Sequence, residues 1–209
     1  MLEVSNLSFV YYKEKHFYLP KVRVPIFDQI NFSLSLGENL LVYGSSGSGK
    51  STLGKVLAGL LKPYKGEIRL GGERIFGIAP HRIQYIFQDQ KTALNPYKNV
   101  KRLIGDVVGK TLDISQILDQ FALDERILGL RSRALSSGEA QRVGLLRALL
   151  LRPKVLICDE ILESLDILTA NQILEILKTY QRQNQMSYIF ISHQKRLFEG
   201  MYQKTLYLS

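Results

Sequence analysis

The sequence predicts an α/β domain with a mostly parallel, doubly wound core sheet, and three observations predict it. Residues 39–43, 155–158 and 188–192 are short apolar runs of the kind that form buried strands. Between them, apolar residues recur at helical spacing, as in Leu53, Val56, Leu57, Leu60 and Leu61, and again in Ile173, Leu174, Leu177 and Tyr180. Strands alternating with helices place the strands parallel, with the helices covering the sheet.

Each element follows from its local pattern. Residues 1–36 alternate with turn signals, and residues 2–4 and 30–36 read as period-two strands of an N-terminal antiparallel β subdomain. Gly37-Glu38 is the turn into the run 39–43. The helix after residue 49 is expected to close at Lys62-Pro63. Residues 67–70, Gly71-Gly72 and 73–75 read as a tight hairpin, and residues 83–87 as a further strand. From 89 to about 152 the pattern becomes helical, with Ile114, Ile117, Leu118 and Phe121, then Val143, Leu146 and Leu150. This is a helical subdomain inserted in a single domain spanning 1–209. Residues 205–208 read as a short edge strand.

The strongest chemical pattern is Gly44-Ser45-Ser46-Gly47-Ser48-Gly49-Lys50-Ser51, followed by Thr52. It fits G-x-x-x-x-G-K-[ST], between the strand 39–43 and a helix, as a phosphate loop requires. Glycines let backbone N–H groups turn inward on phosphate oxygens, Lys50 supplies a point charge, and Ser51 offers a hydroxyl to Mg²⁺. The free N–H groups of the following helix add a positive dipole end. The pattern therefore points to a nucleoside triphosphate with Mg²⁺.

Two further stations accompany it. Asp159-Glu160 ends the apolar run 155–158, where phosphate-loop enzymes hold Mg²⁺ (Asp159) and polarise the attacking water (Glu160). Leu135-Ser136-Ser137-Gly138-Glu139-Ala140-Gln141-Arg142 opens a helix. Its start reads either as an anion site or as a capping box made by Ser136 and Glu139, and taken alone the cap is favoured.

Bulk properties narrow the class. The chain has 209 residues and 45% apolar content, enough for a substantial core. No apolar run reaches 18 residues, so no membrane-spanning helix is expected, and the N-terminus does not read as a signal peptide. The single cysteine, Cys158, allows no internal disulfide and reads as packed in its strand, which favours the cytoplasm. The net charge of +9 is spread along the chain with no dense basic run, so a solvated surface plus a polyanion site is preferred to nucleic-acid binding. No heptad pattern marks a coiled coil.

Together these residues resemble the ATP-binding subunit of an ABC transporter over essentially the whole chain. Gly44 to Ser51 resembles Walker A, and residues 155–160 resemble Walker B with its catalytic glutamate, Glu160. Ser136, Ser137, Gly138 and Glu139, with Leu135, resemble the LSGGQ signature, which acts on the partner's ATP. Gln88 resembles the Q-loop glutamine that touches Mg²⁺ and water, and His193 the switch histidine near the γ-phosphate. Asp166 resembles the end of the D-loop. Tyr11, or its neighbour Tyr12, resembles the aromatic residue that stacks on adenine.

The resemblance implies ATP and Mg²⁺ as cofactors, with Ser51, Gln88 and Asp159 on the metal. It also implies hydrolysis coupled to transport, and closure of two such subunits head to tail over ATP. Membrane permease subunits, placing the chain at the cytoplasmic face, and indirectly an extracytoplasmic binding protein are the further partners. No nucleic acid is expected. Gln88-Asp89 followed by Leu94-Asn95-Pro96 resembles the group serving nickel, dipeptide and oligopeptide importers, which often pair two different ATPase subunits. Nickel or peptides are the expected cargo. The alternatives are a non-hydrolysing partner in a heterodimer and an ABC-type ATPase acting on nucleic acid.

The chain departs from the family pattern in two places. Ser137 and Glu139 stand where the family has glycine and glutamine, adding bulk and negative charge to that half-site. Ile161-Leu162-Glu163-Ser164 stands where Pro-Thr-Ser-Ala is usual.

Overall fold

A computed structural model describes residues 1–13, 21–75, 82–108, 114–163 and 165–209. In chain order these form strands β1 (Leu2–Lys13), β2 (Val22–Leu34) and β3 (Leu40–Gly44), helix α1 (Lys50–Leu57), and strands β4 (Lys65–Leu70), β5 (Glu73–Arg74) and β6 (Ile83–Ile86). Helices α2 (Gln90–Ala93), α3 (Val100–Val108), α4 (Ile114–Gln120) and α5 (Ser137–Leu150) follow. Strand β7 (Val155–Asp159), helix α6 (Ile167–Asn184) and strands β8 (Ser187–Ser192) and β9 (Lys204–Leu208) complete the order. The chain divides into two compact units, residues 1–80 with 187–209, and residues 81–186.

The first unit contains an antiparallel sheet in the order β2-β1-β4-β5. Its strands are longer than the period-two segments predict. β1 runs on to Lys13 against β2, with Tyr11 opposite Val24, and pairs on its other side with β4, Leu2 opposite Leu70. Apolar alternation fades beyond Phe9, so the distal half of this ribbon is held by backbone pairing rather than burial and carries no hydrophobic signal. The hairpin around Gly71-Gly72 forms as expected.

The same unit holds β3 between β8 and β9, all three parallel, with Leu41 opposite Phe190 on one side and Thr205 on the other. Every residue of β8 is buried, the continuous apolar run of a strand covered on both faces. Asn39 ties the entrance of β3 to this group. Its Nδ2 donates to the Met201 carbonyl (2.7 Å), and its Oδ1 accepts from the Tyr188 N–H (2.8 Å). Helix α1 ends at Leu57, five residues before Lys62-Pro63. Gly59 takes φ +73, and the Leu60 N–H reaches back to the Lys55 carbonyl (2.9 Å) while the Gly59 N–H reaches Val56 (3.0 Å). This six-to-one and five-to-two pair closes the helix before the proline acts. Leu60 accordingly lies exposed beyond the helix rather than on its buried face.

The second unit pairs β6 and β7 in parallel, from Ile83 opposite Val155 to Ile86 opposite Cys158. The strand expected through residue 87 stops at Ile86. Helix α5 packs against β6 and buries Val143, Leu145, Leu146 and Leu149, while α2 and α3 pack on α5. The Phe121 and Tyr180 rings meet edge to face at 5.6 Å and tie the end of α4 to α6. Cys158 is fully buried and burial pushes its thiol far above the ordinary value, so it is a packed, unreactive side chain.

Candidate nucleotide site

The phosphate loop sits where strand β3 meets helix α1. Gly47 and Gly49 adopt positive φ, +82 and +93, the backbone by which a phosphate loop can turn N–H groups to an anion, and the Ser48 N–H donates to the Ser45 carbonyl (3.3 Å) within the turn. The space around it is also made for glycine. A Cβ on Gly49 would lie 2.5 Å from Ile26 Cγ2, and one on Gly44 2.0 Å from the Leu208 carbonyl oxygen. The antiparallel sheet and the last strand thus press on the loop from outside. Lys50, 4% exposed, folds back and donates through Nζ to the carbonyls of Gly44 (3.0 Å) and Ser45 (2.9 Å). Its charge is therefore held over the loop's centre.

The Ser48 Oγ is buried with no hydrogen-bond partner, on the side of the loop that Gly44 turns to the Leu208 carbonyl. A glycine-bent loop at a helix N-terminus, with an ammonium held on it, fits a polyphosphate. Across from the loop, the Tyr11 hydroxyl lies 3.5 Å from Thr52 Oγ1, and its ring packs edge to face on Phe9 at 4.9 Å. Tyr12 projects one register further along the ribbon, opposite Arg23. Of the two tyrosines, Tyr11 is the one brought to the loop. His193 follows β8 on the surface, with its Nε2 3.3 Å from the Gln194 amide nitrogen, and the Gln194 N–H is anchored to Ser192 Oγ (2.9 Å).

In the other unit, Asp159 ends β7 and is buried, while Glu160 follows at φ +49, a left-handed backbone that a glutamate adopts only where the surrounding chain imposes it. Tyr85, on the neighbouring strand β6, donates its hydroxyl to Asp159 Oδ2. Burial and the Asp159 carboxylate hold the Tyr85 phenol protonated, far above its ordinary value. Sequence reasoning did not single out Tyr85, since a tyrosine in a strand reads as core. Within this unit the Asp159 carboxylate and the Gln88 amide offer hard oxygen atoms, as the Ser51 hydroxyl does in the first unit, and hard oxygen is the donor type Mg²⁺ takes. Gln88 lies exposed in the loop after β6.

Ser136 is the N-cap of α5 and forms the full capping box. The Glu139 N–H donates to Ser136 Oγ (3.2 Å), and the Ser136 N–H donates to Glu139 Oε2 (2.8 Å). The Ser136 backbone bond, chiefly, holds the Glu139 carboxyl below its usual range. Gly138 abuts α6, where a Cβ would lie 2.9 Å from Thr169 Cγ2. Arg142 reaches Gln172 Oε1 at 3.4 Å, and burial lowers its pKa against the opposing charges of Glu139 and Asp166. Ser137 is the first residue of the helix. Asp166 caps α6, accepting from the Thr169 N–H (2.9 Å) and hydroxyl (2.8 Å). Ile161 and Leu162, where the family pattern is Pro-Thr, are buried; Ser164 lies outside the described residues.

A strand, a glycine-bent loop with its lysine held over the centre, and a helix define a phosphate-loop nucleotide-binding protein. The chain matches the family described as ABC transporter over residues 27–163 and belongs to that family. It is 33% identical to the metal-staphylopine import system ATP-binding protein CntF of Staphylococcus aureus, covering 82% of this chain and 73% of that protein. It is 32% identical to the nickel import ATP-binding protein NikE of Escherichia coli O157:H7, covering 99% and 82%. It is also 33% identical to the putrescine export system ATP-binding protein SapF of Escherichia coli K12, covering 92% and 76%. Its fold matches the ATP-binding cassette MJ0796, solved as a dimer in a post-hydrolysis state with ADP and Pi, at a TM-score of 0.84 with 22% identity, covering all of this chain and 94% of that one.

Proposed function

We propose that this chain is the ATP-binding and ATP-hydrolysing subunit of an ABC importer, with nickel or peptides as cargo. The observation that carries the reading is the phosphate loop 44–51 between β3 and α1, with Lys50 Nζ held on the carbonyls of Gly44 and Ser45. The names of its relatives, two of them metal importers, support the cargo class. Among the described residues no helix is long and apolar enough to cross a membrane; in this reading the permease is formed by other chains, and this subunit binds their cytoplasmic face.

In this reading the inward N–H groups of Gly47 to Ser51 and the Lys50 ammonium hold the phosphates, and Tyr11 stacks on adenine. Ser51, Asp159 and Gln88 hold Mg²⁺, which when bound neutralises charge on the transferring phosphoryl group. Glu160 orients the attacking water and takes its proton. His193 senses the γ-phosphate. Ser136, Ser137, Gly138 and Glu139 cover the nucleotide of a second ATP-binding subunit, with Asp166 beside them. A sister subunit of different sequence, permease chains and an extracytoplasmic binding protein complete the assembly.

Co-purification tests the assembly: a permease should accompany the tagged chain from membranes, and ATP hydrolysis should accompany both. A monomer that binds DNA and brings down no membrane protein would overturn the reading. Deleting the gene and measuring nickel and peptide uptake assigns the cargo.

A further inference from the structure

Gln90 stands at an unusual place. It is the first residue of α2, two residues after Gln88, yet it is only 6% exposed while Gln88 and Asp89 are exposed. Its Nε2 donates back to the Phe87 carbonyl at 3.1 Å, closing residues 87–90 into a loop. Its Oε1 and Cδ lie flat on the backbone of Gly144, where a Cβ would sit 2.2 Å and 2.5 Å away. Gly144 is on α5, two turns beyond the capped N-terminus at Ser136. Asp89 fastens the same loop a second time by capping α2 through the Thr92 N–H (3.3 Å) and hydroxyl.

We infer that Gln90 is a positioning residue that fixes the Gln88 loop to the signature helix α5 through its contact with Gly144. A four-residue helix cannot hold a loop by its own hydrogen bonds, since its termini leave most backbone groups unpaired. A buried amide that bonds the loop's own carbonyl and lies against a helix two turns from Ser136 makes the loop and that helix move together. The absence of a side chain at Gly144 is what admits the amide, and neither residue touches nucleotide in this scheme. The inference rests on the assignment of Gln88 to the metal and water.

The test uses the chain with the subunits that co-purify with it. It measures kcat and KM for ATP, binding of a fluorescent ATP analogue, the thermal midpoint and hydrogen exchange of the 87–90 amides. Gln90→Ala is expected to lower kcat about tenfold or more, because misplacement of a reacting group by about an ångström is costly. KM and analogue affinity should stay within about twofold, since ground-state binding is untouched. Exchange at Gln88 and Asp89 should quicken. Gly144→Ala should lower both kcat and the thermal midpoint. The double variant Gln90→Ala/Gly144→Ala should recover the thermal midpoint but not kcat, because it refills the space without restoring the bond to Phe87. Gln88→Ala should lower kcat, and adding Gln90→Ala to it should cost little more. Wild-type kcat in Gln90→Ala beside an impaired Gln88→Ala overturns the inference alone, as does recovery of kcat in the double variant. Wild-type kcat in Gln88→Ala removes the assignment of Gln88 and the inference with it.

Discussion

Ser136 and Glu139 hold each other at the start of α5, each side chain accepting the other's backbone N–H. The extra negative charge that this signature carries is therefore drawn back against its own helix end, where a positive dipole favours it. Glu139→Gln preserves the box geometry but gives up the charge, so the thermal midpoint near neutral pH should fall modestly, reflecting the few tenths to about 1 kcal/mol that such a charge contributes. If Glu139 charge weakens the half-site, ATP turnover of the complex should rise in this variant; an unchanged turnover assigns Glu139 to capping alone.

The same pair predicts an acid response. The Glu139 carboxyl is depressed below 4.5 by the Ser136 N–H, and Asp166 below 3.8 by Thr169. A depressed folded pKa means these caps stabilise fully above the unfolded value and are lost as pH falls through the folded one. The N-terminus of α5 should begin to loosen below about pH 4.5 and that of α6 only below about pH 3.8, read as faster amide exchange at residues 137–140 and 167–170. Glu139→Gln should remove this response from α5 and leave it in α6. Ser136→Ala should lower stability at neutral pH by about 1 kcal/mol, measured by denaturant unfolding.

Lys50→Ala removes the ammonium that spans Gly44 and Ser45. The expected outcome is loss of ATP binding in equilibrium titration with the fold retained by circular dichroism. Wild-type affinity would sink the assignment of the phosphate loop.

Glu160→Gln should keep ATP affinity while turnover in the purified complex falls by at least about a hundredfold, the scale of a general base. A closed dimer should persist in ATP on gel filtration. Retained turnover would remove Glu160 from the role of base.

Tyr85→Phe deletes the hydroxyl that donates to the buried Asp159 carboxylate. Hydrogen bonds to charged groups contribute about 1.5–3 kcal/mol, and a loss at the lower end is expected in unfolding experiments. The Mg²⁺ concentration needed for half-maximal hydrolysis should also shift, whereas a purely packed tyrosine would leave it unchanged.

The sequence made the strands β3, β7 and β8 legible because burial on both faces demands unbroken apolar runs. The phosphate loop and the paired acids were legible for a related reason: their chemistry fixes residue type at fixed spacing. The distal halves of β1 and β2 were not, since their pairing is backbone to backbone and residues such as Tyr12 and Lys13 carry no burial pattern. The end of α1 was misread because Leu60 and Leu61 continue the helical spacing while Gly59 has already turned the chain left-handed. Tyr85 and Gln90 escaped because their roles lie in partners remote in sequence, Asp159 and Gly144.

The Leu208 carbonyl closing on Gly44 has a consequence for biosynthesis. Strand β3 is translated early, but both of its neighbours, β8 and β9, emerge only after residue 186. At ribosomal speeds the interval is on the order of ten seconds. Throughout it the nucleotide loop hangs from a strand that has neither neighbour beside it, and the contact of Leu208 on Gly44 has yet to form. Docking of β9 is thus a late step that packs the loop from outside, and nucleotide that binds the packed loop would stabilise the chains that have completed it.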